Sequence, residues 1–289
     1  MSQQIRVINS LGQEELFSER KVLRSLKRSG ATGQIATKIL EQIRSQLYQG
    51  INTSEIFKIV RQELAKEHPV AAVRFNLKQA IRNLGPDGFS FEKFIKRVFE
   101  KYGFSVKINQ YIPGRCISYE TDIVAEKEDI IYFGECKYRN QPGERIDLGV
   151  CMKLFAAASD VCPTYFKNKI SNQQKVIPLV ITNVKFTTQA IKYSKCQGIE
   201  LLGWNYPKNN GLEKMIEDKK LYPITILPSF KKYMDQSFGE ADLMLASDLL
   251  KFKDIKNISK IVGLSEKQMM SLVKEAEKLF SDTSIVKNR

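Results

Sequence analysis

The stretch Gly85-Pro86-Asp87-Gly88 constrains this chain most, because its consecutive turn-formers stand between two helical patterns and mark the first domain boundary. Before it the spacing is helical. Ile5, Val7 and Ile8 make a β-like start that turns at Gly12. Ser18 then stands at an N-cap position ahead of Val22, Leu23 and Leu26, with Gly30 as the stop. A second helix carries Ile35, Ile39, Leu40, Ile43 and Leu47 and ends at Gly50. Asn52-Thr53-Ser54-Glu55 caps a third through Ile56, Ile59, Val60 and Leu64. Pro69 suits the first turn of a fourth, followed by Val73, Leu77, Ala80, Ile81 and Leu84. These stripes read as core packing.

After the break the pattern changes. Ser90 caps a helix with Phe91, Phe94, Ile95, Val98 and Tyr102 on one face, closed by Gly103. A strand runs Phe104 to Tyr111, a second around Tyr119 to Ala125, and Lys127-Glu128-Asp129 turns into a third, Ile130 to Tyr138. A helix near Leu148 to Ala158 follows, then a buried strand around Val176 to Ile181, a helix Phe186 to Cys196 and a last strand Ile199 to Gly203. The order α-β-β-β-α-β-α-β predicts a central mixed sheet flanked by helices. From about Leu221 the chain reads as helical again, through Leu243 to Leu250 and then Ile258 to Leu279. The chain therefore divides into 1–85, 86–206 and 207–289.

The formal net charge is +14 over 289 residues. Lysine and arginine in such excess favour a polyanionic partner, since released counterions drive association with phosphates. Nucleic acid leads and a membrane surface follows distantly. No run reaches the apolar length of a bilayer span, and Met1-Ser2-Gln3-Gln4 lacks the apolar core of a secretory signal. A cytoplasmic protein without a membrane partner is expected. The five cysteines form no CxxC pair, which argues against zinc knuckles and dithiol redox sites. His68 is the single histidine and reads as a loop residue between two helices. Ser-His-Asp hydrolysis and HExxH zinc chemistry are thereby removed, and no GxxxxGK[ST] loop is present. Acid–base and metal chemistry must rest on carboxylates and lysines.

Those groups concentrate in two neighbouring strands. Side chains alternate along a strand, so Glu120 and Asp122 share one face, and Glu135 and Lys137 share one face of the next. Paired as a hairpin, the strands bring acids and one lysine together. Both segments are otherwise apolar, and charges there are costly without a partner or a role. Mg²⁺ takes one or two carboxylates and keeps several waters, which suits Asp122 and Glu135, with the Cys136 carbonyl as a further oxygen. Lys137 then orients the attacking water or stabilises the phosphorane. A structural salt bridge is the competing account.

The segment 89–206 resembles the Mrr-like restriction endonuclease domain of the PD-(D/E)XK superfamily. The resemblance lies in the Phe91-Glu92 helix start, Gly103-Phe104, Glu120-x-Asp122, Glu135-Cys136-Lys137, and Ile181-Thr182-Asn183 with Thr187 and Ala190. It implies an α/β restriction-endonuclease-like core, Mg²⁺ or Mn²⁺ held by Asp122 and Glu135, Lys137 as catalytic lysine and Glu92 as auxiliary acid. An N-terminal helix-dipole role is the other account of Glu92. Many Mrr proteins carry Gln at the Glu135 position.

Residues 1–85 resemble an α-helical ATP-cone through the strand–Gly12–Phe17 opening, Lys21-Val22 and Thr53-x-Glu55-Ile56. This implies ATP or dATP as a regulator. Asn9-Ser10-Leu11 stands where Lys-Arg-Asp is typical, which leaves Arg6 and Lys21 as phosphate contacts. The helical C-terminal tail is similar to half a helix-hairpin-helix unit at Ile261-Val262-Gly263-Leu264-Ser265, and a dimerisation cap is the alternative.

The function expected is a nucleotide-regulated DNA endonuclease in restriction or defence against foreign or modified DNA. A duplex has two strands, so a homo-dimer or higher homo-oligomer is expected. The alternatives are a structure-specific repair or recombination nuclease and a catalytically dead, nucleotide-sensing DNA-binding regulator.

Overall fold

The structure is a computed structural model that describes residues 4–85, 89–167, 174–252 and 254–282. It divides into two compact units. The first contains Met1–Ala80, Thr225–Phe230 and Leu249–Arg289; the second contains Ile81–Ile224 and Lys231–Asp248. The segment 207–289, read from sequence as a separate tail, is shared between them. The Gly85-Pro86-Asp87-Gly88 boundary falls partly outside the described residues, since 86–88 are among those not described.

In the first unit, β1 (Arg6–Ile8) and β2 (Glu14–Leu16) form an antiparallel hairpin. Its turn is tied by Asn9, whose Oδ1 accepts from the N–H of Leu11 at 2.8 Å and of Gln13 at 3.1 Å. α1 (Glu19–Arg28) and α2 (Gly33–Arg44) start at Ser18 and Thr32, each accepting a first-turn N–H. β3 (Ile51–Asn52) then pairs parallel with β1. Two residues are too few to show a period, so sequence spacing missed this strand.

α3 (Thr53–Glu67), α4 (Pro69–Phe75) and α5 (Leu77–Arg82) follow. His68 is the non-helical residue between α3 and α4, as expected, and it also caps α4, its Nδ1 accepting from Ala71 N–H at 3.2 Å. The single helix expected after Pro69 is two helices, because α4 closes at Asn76, a poor helix former. Val7, Leu26, Ile39, Ile43, Ile51 and Leu64 fill the core.

The second unit opens with α6 (Phe89–Lys101), which places Ser90 in the first turn instead of at the cap. β4 (Ser105–Pro113), β5 (Ser118–Lys127) and β6 (Ile130–Lys137) form an antiparallel meander. Next come β7 (Arg145–Ile146) and α7 (Leu148–Val161), which runs on into a π-helical turn at Cys162–Phe166. β8 (Lys175–Thr182), β9 (Lys185–Phe186), α8 (Thr188–Gln197) and β10 (Glu200–Leu202) complete the run.

The main sheet has the order β10-β8-β6-β5-β4, with β6, β8 and β10 parallel. It is the mixed sheet that the order of elements predicts. Phe186, expected to begin a helix, lies in β9 and pairs with β7. Thr187 starts α8 instead, its side chain accepting from Ala190 N–H at 3.2 Å. Cys151, Leu154, Ala158 and Val161 of α7 pack with Phe133 and Val180 of the sheet.

Beyond the sheet lie α9 (Leu212–Asp218), α10 (Asp235–Glu240) and short 3-10 turns. The expected helix over Leu243–Leu250 reduces to one such turn, Ala246–Lys251. There Asp248 Oδ2 accepts from Leu245 N–H at 2.9 Å, a side-chain turn that competes with a helix.

Back in the first unit, α11 (Ile255–Val262) and α12 (Glu266–Ser281) are joined by Gly263 in the left-handed region and by a Ser265–Gln268 capping box. Buried Arg74 of α4 closes the end of α12: its guanidinium donates to the carbonyls of Leu279 at 2.9 Å and Asp282 at 3.1 Å, and to the Asp282 carboxylate at 3.2 Å. Among the described residues no helix is long and apolar enough to cross a membrane.

Candidate active site and cone cavity

The acidic cluster forms where two strands part. β5 and β6 pair as far as Ile123–Gly134, while β6 stays with β8 to Lys137–Thr182. Asp122 and Glu135 are the next residues on either side of that fork. Gly134 is required there: a Cβ would come within 2.5 Å of the Ile123 side chain. Thr121, buried, donates to the Gly134 carbonyl at 2.8 Å and locks the fork from the opposite face. On β4, Asn109 takes a left-handed φ of 52° between the Ile108–Ile123 and Gln110–Thr121 pairs, directly beside Asp122 in register.

Asp122, Glu135 and Lys137 are each held. Asp122 Oδ2 accepts from the backbone N–H of Cys136 at 2.7 Å. Lys137 Nζ pairs with Glu135 Oε1. The Lys137 carbonyl accepts from Thr182 Oγ1 at 2.6 Å, and Asn183 bridges both backbone groups of Arg139. Thr182 and Asn183 are almost fully buried. Sequence reading placed them in the resembling motif without a role; the structure makes them the clamp on the end of β6. Glu92 enters from the first turn of α6, next to Phe91, whose ring contacts Tyr138 at 5.7 Å.

The electrostatics follow from crowding. Burial, then the Asp122 carboxylate, pushes Glu92 up to about 7, against the opposing pull of Lys137. Burial, then Glu135, raises Asp122 to about 6, although the Cys136 N–H and Lys137 oppose it. For Lys137 burial acts downward, but Glu135 and Asp122 outweigh it and hold the ammonium above its ordinary value. Exposed Glu120 adds repulsion to both Glu92 and Asp122. Glu92, Glu120, Asp122, Glu135 and Lys137 thus interact electrostatically; strand alternation accounts for the last four, while Glu92 reaches them from α6.

Two carboxylates and an ammonium at a partly buried edge suit a hard cation that keeps its waters. Among the described residues no group of three His, Cys, Asp or Glu side chains is arranged to hold a metal ion. The Cys136 side chain is buried and its thiol is raised well above the ordinary range by that burial, so its contribution is its backbone.

A cavity also lies in the first unit. A cavity of about 170 Å³ is bounded by β2, α1, α3 and the end of α4, with Lys21 among its lining residues. Arg6 is not among them: it pairs with Glu14 at 3.5 Å on the exposed hairpin. β1 alternates its side chains, so Val7 faces the core and Arg6 faces away.

Comparison with known proteins bears on both units. Residues 5–78 match the ATP cone domain, a domain type that binds nucleotide effectors such as ATP or dATP. Residues 222–280 match the AF1548-like C-terminal domain. An uncharacterized protein of Archaeoglobus fulgidus is 36% identical over 183 residues, which is 63% of this chain and 98% of that protein. The chain belongs to the AF1548-like family. A crystal structure described as a protein of unknown function, AF1548, aligns with a TM-score of 0.56 and 33% identity, over 67% of this chain and 98% of its own. In this AF1548-like chain the acidic fork lies between the two matched segments.

Proposed function

We propose that this protein is a divalent-metal-dependent DNA endonuclease of the PD-(D/E)XK kind whose cone senses an adenine-bearing effector. The observation that carries the reading is the meeting of Asp122, Glu135 and Lys137 at the parting of β5 and β6, with Glu92 beside them. Asp122 and Glu135 are the residues that would hold Mg²⁺ or Mn²⁺, which supplies charge neutralisation at a scissile phosphate and a more acidic water. Lys137, kept protonated by its carboxylate neighbours, donates to a phosphate oxygen or orients the water. Glu92, titrating near neutrality, can accept or return a proton at the edge of the cluster. The net charge of +14 supports DNA as the partner, and defence against foreign or modified DNA fits a nuclease regulated by a small effector.

The test is cleavage of methylated, unmethylated and branched DNA with Mg²⁺ or EDTA, beside Lys137→Ala. Metal-dependent nicking that Lys137→Ala abolishes is the expected result. The match of residues 5–78 to the ATP cone favours a second reading, a nucleotide-sensing DNA-binding regulator without hydrolysis. That reading predicts salt-sensitive DNA binding, no cleavage and no effect of Lys137→Ala.

A further inference from the structure

The cone cavity is apolar where a nucleoside triphosphate needs cations. Phe17, Ile56, Phe57, Val60 and Phe75 form its walls, and Phe57 stacks on Phe75 with ring centroids 4.7 Å apart. The charged groups among its described lining residues are Glu15 and Lys21, and these pair with each other at 3.4 Å. Asn9 spends its side-chain oxygen on the hairpin turn, and Arg6 pairs with Glu14 away from the cavity. Four phosphate charges would therefore meet one lysine already neutralised by a carboxylate, and that carboxylate repels them.

We infer that this cavity takes a neutral planar heterocycle, a purine base or its nucleoside, in preference to the nucleoside triphosphate. The ring inserts against the Phe57–Phe75 wall, where aromatic contact adds to apolar burial. Glu15 at the mouth accepts an N–H or O–H from the ligand. The inference rests on reading residues 5–78 as an effector-sensing cone and names the class of effector.

Calorimetric titration of the full chain with adenosine and with ATP, both in EDTA, decides it. Adenosine is expected to bind at least tenfold more tightly than ATP. Phe57→Ala should weaken adenosine binding at least tenfold, with circular dichroism checking the fold. Glu15→Lys, an exposed change that keeps the walls intact, should shift the ratio at least tenfold toward ATP. Tighter ATP binding by the unaltered chain, or a ratio that Glu15→Lys leaves unmoved, overturns the inference and leaves the cone as a nucleotide sensor. Binding of neither ligand overturns both.

Discussion

At the β5–β6 fork several carboxylates crowd one lysine, whereas in the cone cavity one carboxylate and one lysine cancel beside apolar walls. Both sites contain an acid–lysine pair, so the pair itself says little. The surroundings differ. At the fork, partial burial and then neighbouring carboxylates raise two carboxyls toward neutral pH, an arrangement that costs stability and is typical of sites with a chemical task. In the cone the side chains of Lys21 and Glu15 are 69% and 40% exposed, and such a pair contributes little. Excess charge held against solvation points to chemistry; balanced charge at an open mouth points to ligand selection.

The strongest way to break this contrast is at Lys137. Lys137→Ala should lower metal-dependent cleavage by about 10²–10⁴-fold, the usual scale for losing a positioned acid–base or electrostatic group. Some thermal stability should be lost with the cation that opposes these carboxylates, but circular dichroism should still show the folded protein. Equal loss of fold and activity would return the pair to a structural salt bridge.

Second in size is Arg74→Ala, which tests a charge that does serve the fold. Its side chain is 2% exposed and bonds the last carbonyls of α12 and the Asp282 carboxylate. Removing one partner of so buried a network should destabilise the first unit by about 3 kcal/mol, read by urea denaturation.

Third comes pH. Glu92 and Asp122 have folded values of about 7 and about 6, above the ordinary 4.5 and 3.8. Raised carboxyls favour the protonated folded form. Their contribution is fully present below about pH 4 and is lost as pH rises through 6 to 7. Glu92→Gln should accordingly stabilise the metal-free protein at pH 8 by ~1–2 kcal/mol, discounted for partial solvation, and give no gain at pH 4. Denaturant midpoints at both pH values check this. A gain that persists at low pH would mean that the raised carboxyl is not its source.

The smallest effect expected is Ser265→Ala, which removes the capping box between α11 and α12 at a cost of about 1 kcal/mol. Cleavage should survive it. Selective loss of DNA binding without loss of stability would instead give the Gly263 hairpin the phosphate contact that its resemblance to a helix-hairpin-helix half implies.

The mixed sheet and the α6 to β10 order were legible because its long strands alternate cleanly and are bounded by turns, as at Glu128 with φ 53°. β3, β7 and β9 were not, since two-residue strands carry no period. Of the candidate site, the Asp122, Glu135 and Lys137 faces followed from alternation along β5 and β6. Thr182 and Asn183 could not be given their clamping role, because a polar residue at a strand end looks alike whether it binds solvent or a neighbouring backbone. Arg6 shows a related limit: proximity in sequence to the missing basic pair says nothing about which side of a hairpin faces a cavity.

By itself the sequence determined which residue types were available for chemistry, which faces of long elements were apolar, and where helices start. Local spacing encodes these, through the 3.6 and 2.0 residue periods and, for α1, the first-turn hydrogen bond of Ser18. Tertiary structure decided that β5 leaves β6 at Gly134, that the end of α12 bonds Arg74 of α4, and that Lys21 lines the cavity while paired to Glu15. Each depends on contacts between residues far apart in the chain or on register, whose energies no local window contains.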